Sequence, residues 1–169
     1  MKRTSDIMKR IEGISRRMVF IFAITIVTLF ISAGISSAFN RGDLEKLKTT
    51  KVCEGCNLRG AQLSGVDLSD ANLSRAELVG ANLGGANLSG TNLSGAKLID
   101  AVLSGANLYG AKLVNAVLSG AYLFGANLSG ANLSSANLFD ANLSGADLSG
   151  ATWTDGATCK AGSVGKCEK

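Results

Sequence analysis

Histidine and proline are absent from this 169-residue sequence, and only 5% of its residues are aromatic. Without histidine, the chain lacks the side chain that most often serves as a general base or metal ligand near neutral pH. We find no polar cluster with a catalytic spacing that could replace it. The many Ser and Asn residues recur regularly and are best explained as the solvated outer surface of the fold. The sequence therefore predicts a protein that is not an enzyme and holds no cofactor or metal.

Basic residues are not concentrated in a way that would bind nucleic acid. Residues 1–38 carry six basic and two acidic residues, whereas residues 39–169 carry eleven of each. Residues 53–156 hold only four basic residues against eight carboxylates. Since nucleic-acid binding requires a basic stripe along one face, we expect no nucleic-acid partner.

A five-residue pattern repeats twenty times between residues 56 and 155. Its third position is Leu from Leu58 to Leu148 and Trp153 in the last repeat. The first position is Ala in seventeen repeats, the second is Asn in ten, and the fifth is Gly in thirteen. This pattern dominates the chain and decides its fold.

A period of five fits neither an α-helix nor a straight β-strand. On a helix the leucines would spread around the cylinder, and on a strand they would alternate between opposite sides. Every Leu can point inward only if the chain turns a corner in each repeat, which the Gly, Asp and Asn residues of the fifth position tolerate. Four corners close a square, so we expect about twenty residues per coil, about five coils and a column about 24 Å tall.

The phrase Ala-Asn-Leu-Ser-Gly, as in residues 86–90, resembles the pentapeptide-repeat family over about 100 residues of the chain. The resemblance implies an all-β fold, a right-handed quadrilateral β-helix of about five coils. It also implies that the leucines from Leu58 to Leu148 and the small residues from Ala61 to Ala151 point inward. Leu and Ala fill such a column, so no pocket is expected.

The first 38 residues have the organisation of an export signal. Residues 1–17 are basic and polar, no charge occurs between Met18 and Asn40, and Ser36-Ser37-Ala38 fits a cleavage site. The apolar run is also long enough to span a bilayer, so an uncleaved anchor helix through residues 18–40 is the alternative. In both cases the positive flank stays in the cytoplasm and the repeats are exported, to the periplasm or to the outer side of the membrane.

Short segments flank the repeats. Residues 39–52 form a linker with a short helix from Asp43 to Thr50, in which Asp43 is the expected N-cap and Leu44 and Leu47 share one side. We expect this helix to cover the first coil, because the ends of a solenoid need caps. The repeat domain then covers residues 53–156, and residues 157–169 form a C-terminal tail that we expect to cover the other end.

The four cysteines lie in two pairs near the two ends of the repeat domain. Cys53 falls in a leucine position and Cys56 in a small-residue position, while Cys159 and Cys167 lie in the tail. The pairs are too far apart for one four-cysteine zinc site, and an inward thiol is a poor redox catalyst. In an oxidising compartment we predict disulfides Cys53–Cys56 and Cys159–Cys167. Buried free thiols, or metal or redox chemistry, are the alternatives.

Apolar residues at outward positions gather on two adjacent sides of the predicted column. Counting repeats in fours places the following residues there: Val79, Ile99, Val102, Val117, Tyr122, Phe124 and Phe139. They predict a contact surface for a second copy or another protein. Scattered substitutions on a tolerant surface are the alternative.

The export signal, the helix after it and the two cysteine pairs are similar to those of exported or envelope-associated bacterial members of the family. The sequence thus predicts a non-enzymatic structural or protein-interaction module of the bacterial envelope. The alternative is a DNA-mimicking topoisomerase (gyrase) inhibitor, as in members of the family that confer quinolone resistance. That mechanism needs a strongly acidic rod in the cytoplasm, whereas residues 39–169 have no net charge and follow an export signal.

Overall fold

A computed structural model describes residues 39–169, which form one compact unit. The signal or anchor predicted for residues 1–38 lies outside the described residues. One α-helix, α1 (Arg41–Thr50), precedes a column of coils. Within residues 39–169, no helix is both long enough and apolar enough to span a bilayer.

Parallel β-bridges between residues twenty positions apart build the column. Asn57 pairs with Glu77, Glu77 with Lys97, and Lys97 with Val117. Each pairing involves a single residue on each coil, and the described part of the chain has no longer strand, because a turn follows every bridge. One coil therefore takes four repeats, as the sequence predicted.

Four faces follow from this register, and we name them by their first leucine. Face 1 begins at Leu58, face 2 at Leu63, face 3 at Leu68 and face 4 at Leu73. Every twentieth residue returns to the same face. Glu77 and Lys97, one coil apart on face 1, form an ion pair with 2.6 Å between Oε1 and Nζ. Such an exposed pair contributes under about 1 kcal/mol, so it follows from the register and does not hold the column together.

The fifth position of each repeat forms the corner of the coil. Glycine takes a positive φ there, and six other residues adopt the same left-handed conformation with φ between 55° and 57°: Asp70, Arg75, Asp100, Asn115, Ser135 and Asp140. A Cβ atom on Gly90 would overlap the carboxylate of Asp70 in the coil below, and Gly120 has the same relation to Asp100. In the observed rotamers, each of these carboxylates thus fills the space that a Cβ atom would take one coil later.

The interior of the column is a closed stack of leucine and small side chains. Every leucine from Leu58 to Leu133 is at most 1% exposed. Thr91 replaces Ala in this interior, and its hydroxyl donates a hydrogen bond to the Leu68 carbonyl at 2.7 Å. No buried side-chain polar atom lacks a partner within residues 39–169, and the packing leaves no pocket there.

Helix α1 covers the first coil. It begins two residues before the predicted start, because Asn40 is the N-cap and accepts a hydrogen bond from the Gly42 N–H at 2.8 Å. The prediction that Asp43 caps the helix is therefore wrong. Asp43 instead accepts a hydrogen bond from the Asn57 N–H at 2.8 Å and so ties the helix to the first coil. Leu47 is fully buried beneath the helix.

The tail covers only half of the last coil. Thr158 forms an antiparallel bridge with Thr152 on face 4, and Val164 forms one with Asp147 on face 3. The Cys159–Cys167 disulfide then holds the end of the chain against this half, as Cys53–Cys56 closes the first turn of the column. The expectation that the tail covers this end is therefore confirmed only in part. After Val164, Gly165 lies against Leu143 and Ser144 at the end of face 2, and Cys167 then returns to Cys159 on the face 4 side.

Replacing Leu103 tests the inward assignment of the leucines. Leu103 is fully buried in the middle of the column, so Leu103→Ala should lower the free energy of unfolding by about 2–5 kcal/mol. Leu103→Asp should cost more, because the charge would be buried without a partner. Ser104→Ala at the neighbouring outward position is the control and should be nearly neutral. Denaturant unfolding measures all three, and an unchanged midpoint for Leu103→Ala would contradict the packing described above.

Candidate interaction surface

Faces 3 and 4 present polar side chains whose hydrogen bonds are made largely within the column. On face 3 the Asn87 amide donates to Asp67 at 3.1 Å, Asn107 donates to Asn87 at 3.2 Å, and Asn127 donates to Asn107 at 3.3 Å. The Ser89 hydroxyl also donates to Asn87 at 2.9 Å. These groups bind one another along the column, so they stabilise the coil register and do not form a catalytic cluster.

Aspartates at both ends of the face 3 ladder have lowered pKa values. The pKa of Asp67 falls to about 2, first because the Ser69 N–H donates to it at 3.0 Å, then because of the Ser69 hydroxyl and Lys51. Lys51 is the C-cap of helix α1, and its Nζ lies 3.4 Å from the Asp67 carboxylate. The Ser149 hydroxyl and N–H lower the pKa of Asp147 in the same way. These are local hydrogen bonds that favour the charged form. The Lys51–Asp67 ion pair also joins α1 to the first coil.

The seven apolar residues predicted as a contact surface all lie on faces 1 and 2. Val79, Ile99, Val117 and Phe139 are on face 1, and Val102, Tyr122 and Phe124 are on face 2. We call these seven residues the apolar corner. Their exposure differs, since Tyr122, Phe124 and Phe139 are 52%, 60% and 71% exposed, whereas Val79, Ile99 and Val117 are partly buried.

The three aromatic residues dominate the exposed part of the apolar corner. Val102 and Tyr122 are bridge partners in successive coils, so their side chains stack along face 2. Towards the first coil, Glu77 binds Lys97 at 2.6 Å and Arg59 at 3.6 Å and forms a charged border on face 1. The exposed apolar area is therefore concentrated on the coils nearest the C-terminal end.

Sequence reasoning missed a second apolar area, at the end of the column itself. Leu138, Ala141 and Leu143 are only partly buried, although they occupy inward positions. The repeat pattern assigns them to the core, and only the path of the tail leaves them uncovered. In the sequence, only the short length of the tail indicated that the last coil would be incompletely covered.

Within residues 39–169, no three potential metal ligands converge, and all four cysteines are in disulfides. With no pocket in the same residues, the described structure offers rigid surfaces to a ligand and no enclosed site.

The Asp67 carboxylate should make part of the stability depend on pH. Its folded-state pKa of about 2 is below the ordinary value of 3.8. Its contribution is therefore complete above pH 4 and is lost as the pH falls from about 4 through about 2. Ser69→Ala should raise the pKa of Asp67 in an NMR titration, and Ser104→Ala on face 2 should leave it unchanged. An Asp67 that titrates at the ordinary value in the unmodified protein would contradict this account.

Comparison with known proteins adds family relationships to this geometry. The family model described as pentapeptide repeats matches eight copies, over residues 52–90, 86–123 and 116–152. A search of curated proteins gave no significant match.

Among solved structures, the pentapeptide repeat protein Rfr23 from the cyanobacterium Cyanothece is 34% identical over 66% of this chain and 97% of its own, with a TM-score of 0.39. A pentapeptide repeat protein from the Arabidopsis thaliana thylakoid lumen is 32% identical over 65% of this chain and 86% of its own, with a TM-score of 0.39. The plasmid-mediated fluoroquinolone resistance protein QnrB1 is 23% identical over 59% of this chain and 57% of its own, with a TM-score of 0.39. That last likeness concerns the fold alone.

The family model covers more than half of the chain, and its fold is a right-handed quadrilateral β-helix, in agreement with the four faces described above. The chain therefore belongs to the pentapeptide repeat family.

Proposed function

We propose that this protein is a non-enzymatic protein-interaction module, and that the apolar corner is its contact surface. The observation that carries the proposal is the concentration of exposed aromatic side chains on faces 1 and 2. Tyr122, Phe124 and Phe139 are each more than half exposed, on a column whose other faces are mostly polar. Exposed apolar patches with polar surroundings are typical of protein-binding sites.

The rigidity of the column supports this function. Each outward side chain stands on a backbone that is hydrogen-bonded to neighbouring coils; for example, the Tyr122 N–H donates to Ala101 at 2.9 Å and its carbonyl accepts from Leu103 at 2.7 Å. Binding then costs little backbone ordering, because the surface is already fixed. Aromatic anchors on a fixed scaffold are the residues that contribute most to many protein interfaces.

The same proposal places the module outside the cytoplasm. Two features support export: the uncharged run from Met18 to Asn40 after a basic start, and disulfides at both ends of the column. Disulfides persist in oxidising compartments and are rare in the cytosol. Residues 1–38 would then serve as a cleaved signal or as an anchor in the bacterial envelope.

Gyrase inhibition by DNA mimicry is less well supported. QnrB1, a fluoroquinolone resistance protein, is similar to this chain in fold alone. A DNA mimic needs a continuous acidic surface, whereas residues 39–169 carry eleven basic and eleven acidic residues. On face 1 the acidic Glu77 is also neutralised by Lys97 and Arg59.

Replacing residues of the apolar corner tests the contact surface. The variant Ile99→Ser, Tyr122→Ser, Phe139→Ser should stay folded, because none of the three side chains belongs to the buried core. It should reduce crosslinking to the natural partner in quantitative mass spectrometry by about 10-fold or more.

The matched control replaces three outward apolar residues of other faces, in the variant Val52→Ser, Tyr109→Ser, Val114→Ser. This control should retain the crosslinks of the unmodified protein. Equal losses in both triple variants, or no loss in either, would reject the apolar corner as the binding surface.

Fractionation of the full-length protein with a C-terminal tag tests export. The tag should be accessible to protease in spheroplasts, and the mature chain should begin at Phe39 if the signal is cleaved. Recovery of an intact chain in the membrane fraction would identify the uncleaved anchor. Recovery in the cytosol would reject export and would renew the case for a gyrase assay.

A further inference from the structure

Two carboxylates lie among the side chains of the apolar corner. Asp100 and Asp140 occupy the fifth repeat position, where the chain turns from face 1 to face 2. Both are exposed, and neither makes an ion pair within the described part of the chain. The two basic residues that the repeats place on these faces, Arg59 and Lys97, both bind Glu77. The apolar corner therefore carries a local excess of negative charge.

Two aromatic side chains flank the carboxylates. Phe139 directly precedes Asp140 on face 1, and its carbonyl accepts a hydrogen bond from the Gly120 N–H at 2.9 Å. Tyr122 follows Gly120 by two residues and lies on face 2. Gly120 occupies the turn position between the two aspartates, and the Asp100 carboxylate lies over it. An aromatic ring thus stands on each side of the line that joins the carboxylates.

The spacing of the carboxylates fits one kind of secondary structure in a partner. Asp100 and Asp140 are two coils apart, which is about 10 Å along the column. In an α-helix, residues i and i+7 share one side and lie about 10.5 Å apart. On one side of a β-strand, residues lie about 7 or about 13 Å apart, so neither spacing matches. A helix that lies along the column can therefore place one basic residue against each carboxylate.

The backbone around the carboxylates also favours a helix over an added strand. A strand that joins another strand needs free N–H and carbonyl groups on its neighbour. Here these groups are used between coils, since the Gly120 N–H donates to Phe139 and the Tyr122 N–H donates to Ala101, both at 2.9 Å. This surface therefore offers a partner its side chains, and an amphipathic helix presents side chains along one side.

We propose that the partner of the apolar corner is a basic amphipathic helix of another protein. The inference rests on the proposed function of the apolar corner as a contact surface. Basic residues at positions i and i+7 of the helix bind Asp100 and Asp140, and apolar residues at i+3 and i+4 pack on Tyr122 and Phe139. Arginine suits the two basic positions best, because its guanidinium forms two parallel hydrogen bonds with a carboxylate.

Charge disfavours the other occupants of this surface. Two copies of this chain that met through the apolar corner would bring the carboxylates of one copy near those of the other. Arg59 and Lys97 could not balance them without leaving Glu77. The same negative charge repels the phosphates of nucleic acids and of anionic lipids. A basic protein segment is thus the class of partner that this surface favours.

Peptide binding by fragment 39–169 tests the inference, since these residues form one compact unit with its own core. The probe is a fluorescent alanine-based helical peptide with Arg at i and i+7 and Leu at i+3 and i+4. It should bind in an anisotropy titration, and added salt should weaken the binding. Moving the second Arg to i+5, on another side of the helix, should weaken binding by about 10-fold. No binding of the first peptide, or equal binding of both, would overturn the inference.

Removing the two charges tests the assigned carboxylates. Asp100→Asn with Asp140→Asn should weaken binding of the probe peptide by about 10-fold. The fold should be kept, because Asn115 adopts the same left-handed conformation. The matched control is Asp70→Asn, since Asp70 is also an exposed aspartate at a turn position but lies between faces 3 and 4. This control should leave binding unchanged, and equal effects of the two variants would reject the site.

Charge reversal should change which peptide binds. Asp100→Arg with Asp140→Arg should abolish binding of the probe peptide and should create binding of a peptide with Glu in place of both Arg residues. A basic residue fits the turn position, because Arg75 adopts the same left-handed conformation. Circular dichroism checks that the variant is folded. A folded variant that does not bind the Glu peptide would show that these positions do not contact the helix.

Crosslinking to the natural partner separates failure of this inference from failure of the proposed function. A photo-crosslinking residue in place of Ser119, one coil before Phe139 on face 1, should capture a segment with basic residues seven positions apart. Asp100→Asn with Asp140→Asn should reduce this crosslink by about 10-fold. If only the triple serine variant of the apolar corner loses the crosslink, the contact surface stands and the basic helix is rejected. If neither variant loses it, both proposals are rejected.

Discussion

The hydrogen bonds between successive coils are the interaction on which the rest of this structure depends. Each leucine N–H from Leu58 to Leu133 donates to a carbonyl nineteen residues later, as Leu103 donates to Tyr122 at 2.7 Å. Because every coil repeats this bond on four faces, a shift by one repeat would move every side chain to another face. The register therefore fixes together the buried column, the polar ladder of face 3 and the apolar corner.

A column of this kind separates stability from function in space. The interior is filled by leucine and small residues, which leaves the outward positions free to vary without loss of core packing. Face 3 uses that freedom for amide ladders, which add to cohesion between coils. Faces 1 and 2 use it for Tyr122, Phe124 and Phe139, which add nothing to the core. Because these side chains do not contribute to the core, they are free to contribute to binding of a partner.

The two ends of the column solve the same physical problem differently. A solenoid end exposes unpaired backbone groups and apolar side chains, and both are costly unless they are covered. At the first coil, α1 buries Leu47 and Asp43 binds the Asn57 N–H, so this end is closed by the chain itself. At the last coil the disulfide-bound tail forms bridges with faces 3 and 4 only, and Leu138, Ala141 and Leu143 stay partly exposed.

The sequence by itself determined the four-sided coil, the inward leucines and the gathering of the apolar corner. All three follow from the period of five, because only a turn in every repeat keeps Leu58 to Leu148 on the inside. Only the tertiary structure decided how the two ends of the column are capped. Asn40 is the N-cap of α1, and the Asp43 carboxylate accepts instead from the N–H of Asn57, fourteen residues later. The partial exposure of Leu138 and Leu143 likewise depends on where the tail folds back, which is set by contacts between distant residues and leaves no mark on the repeat pattern.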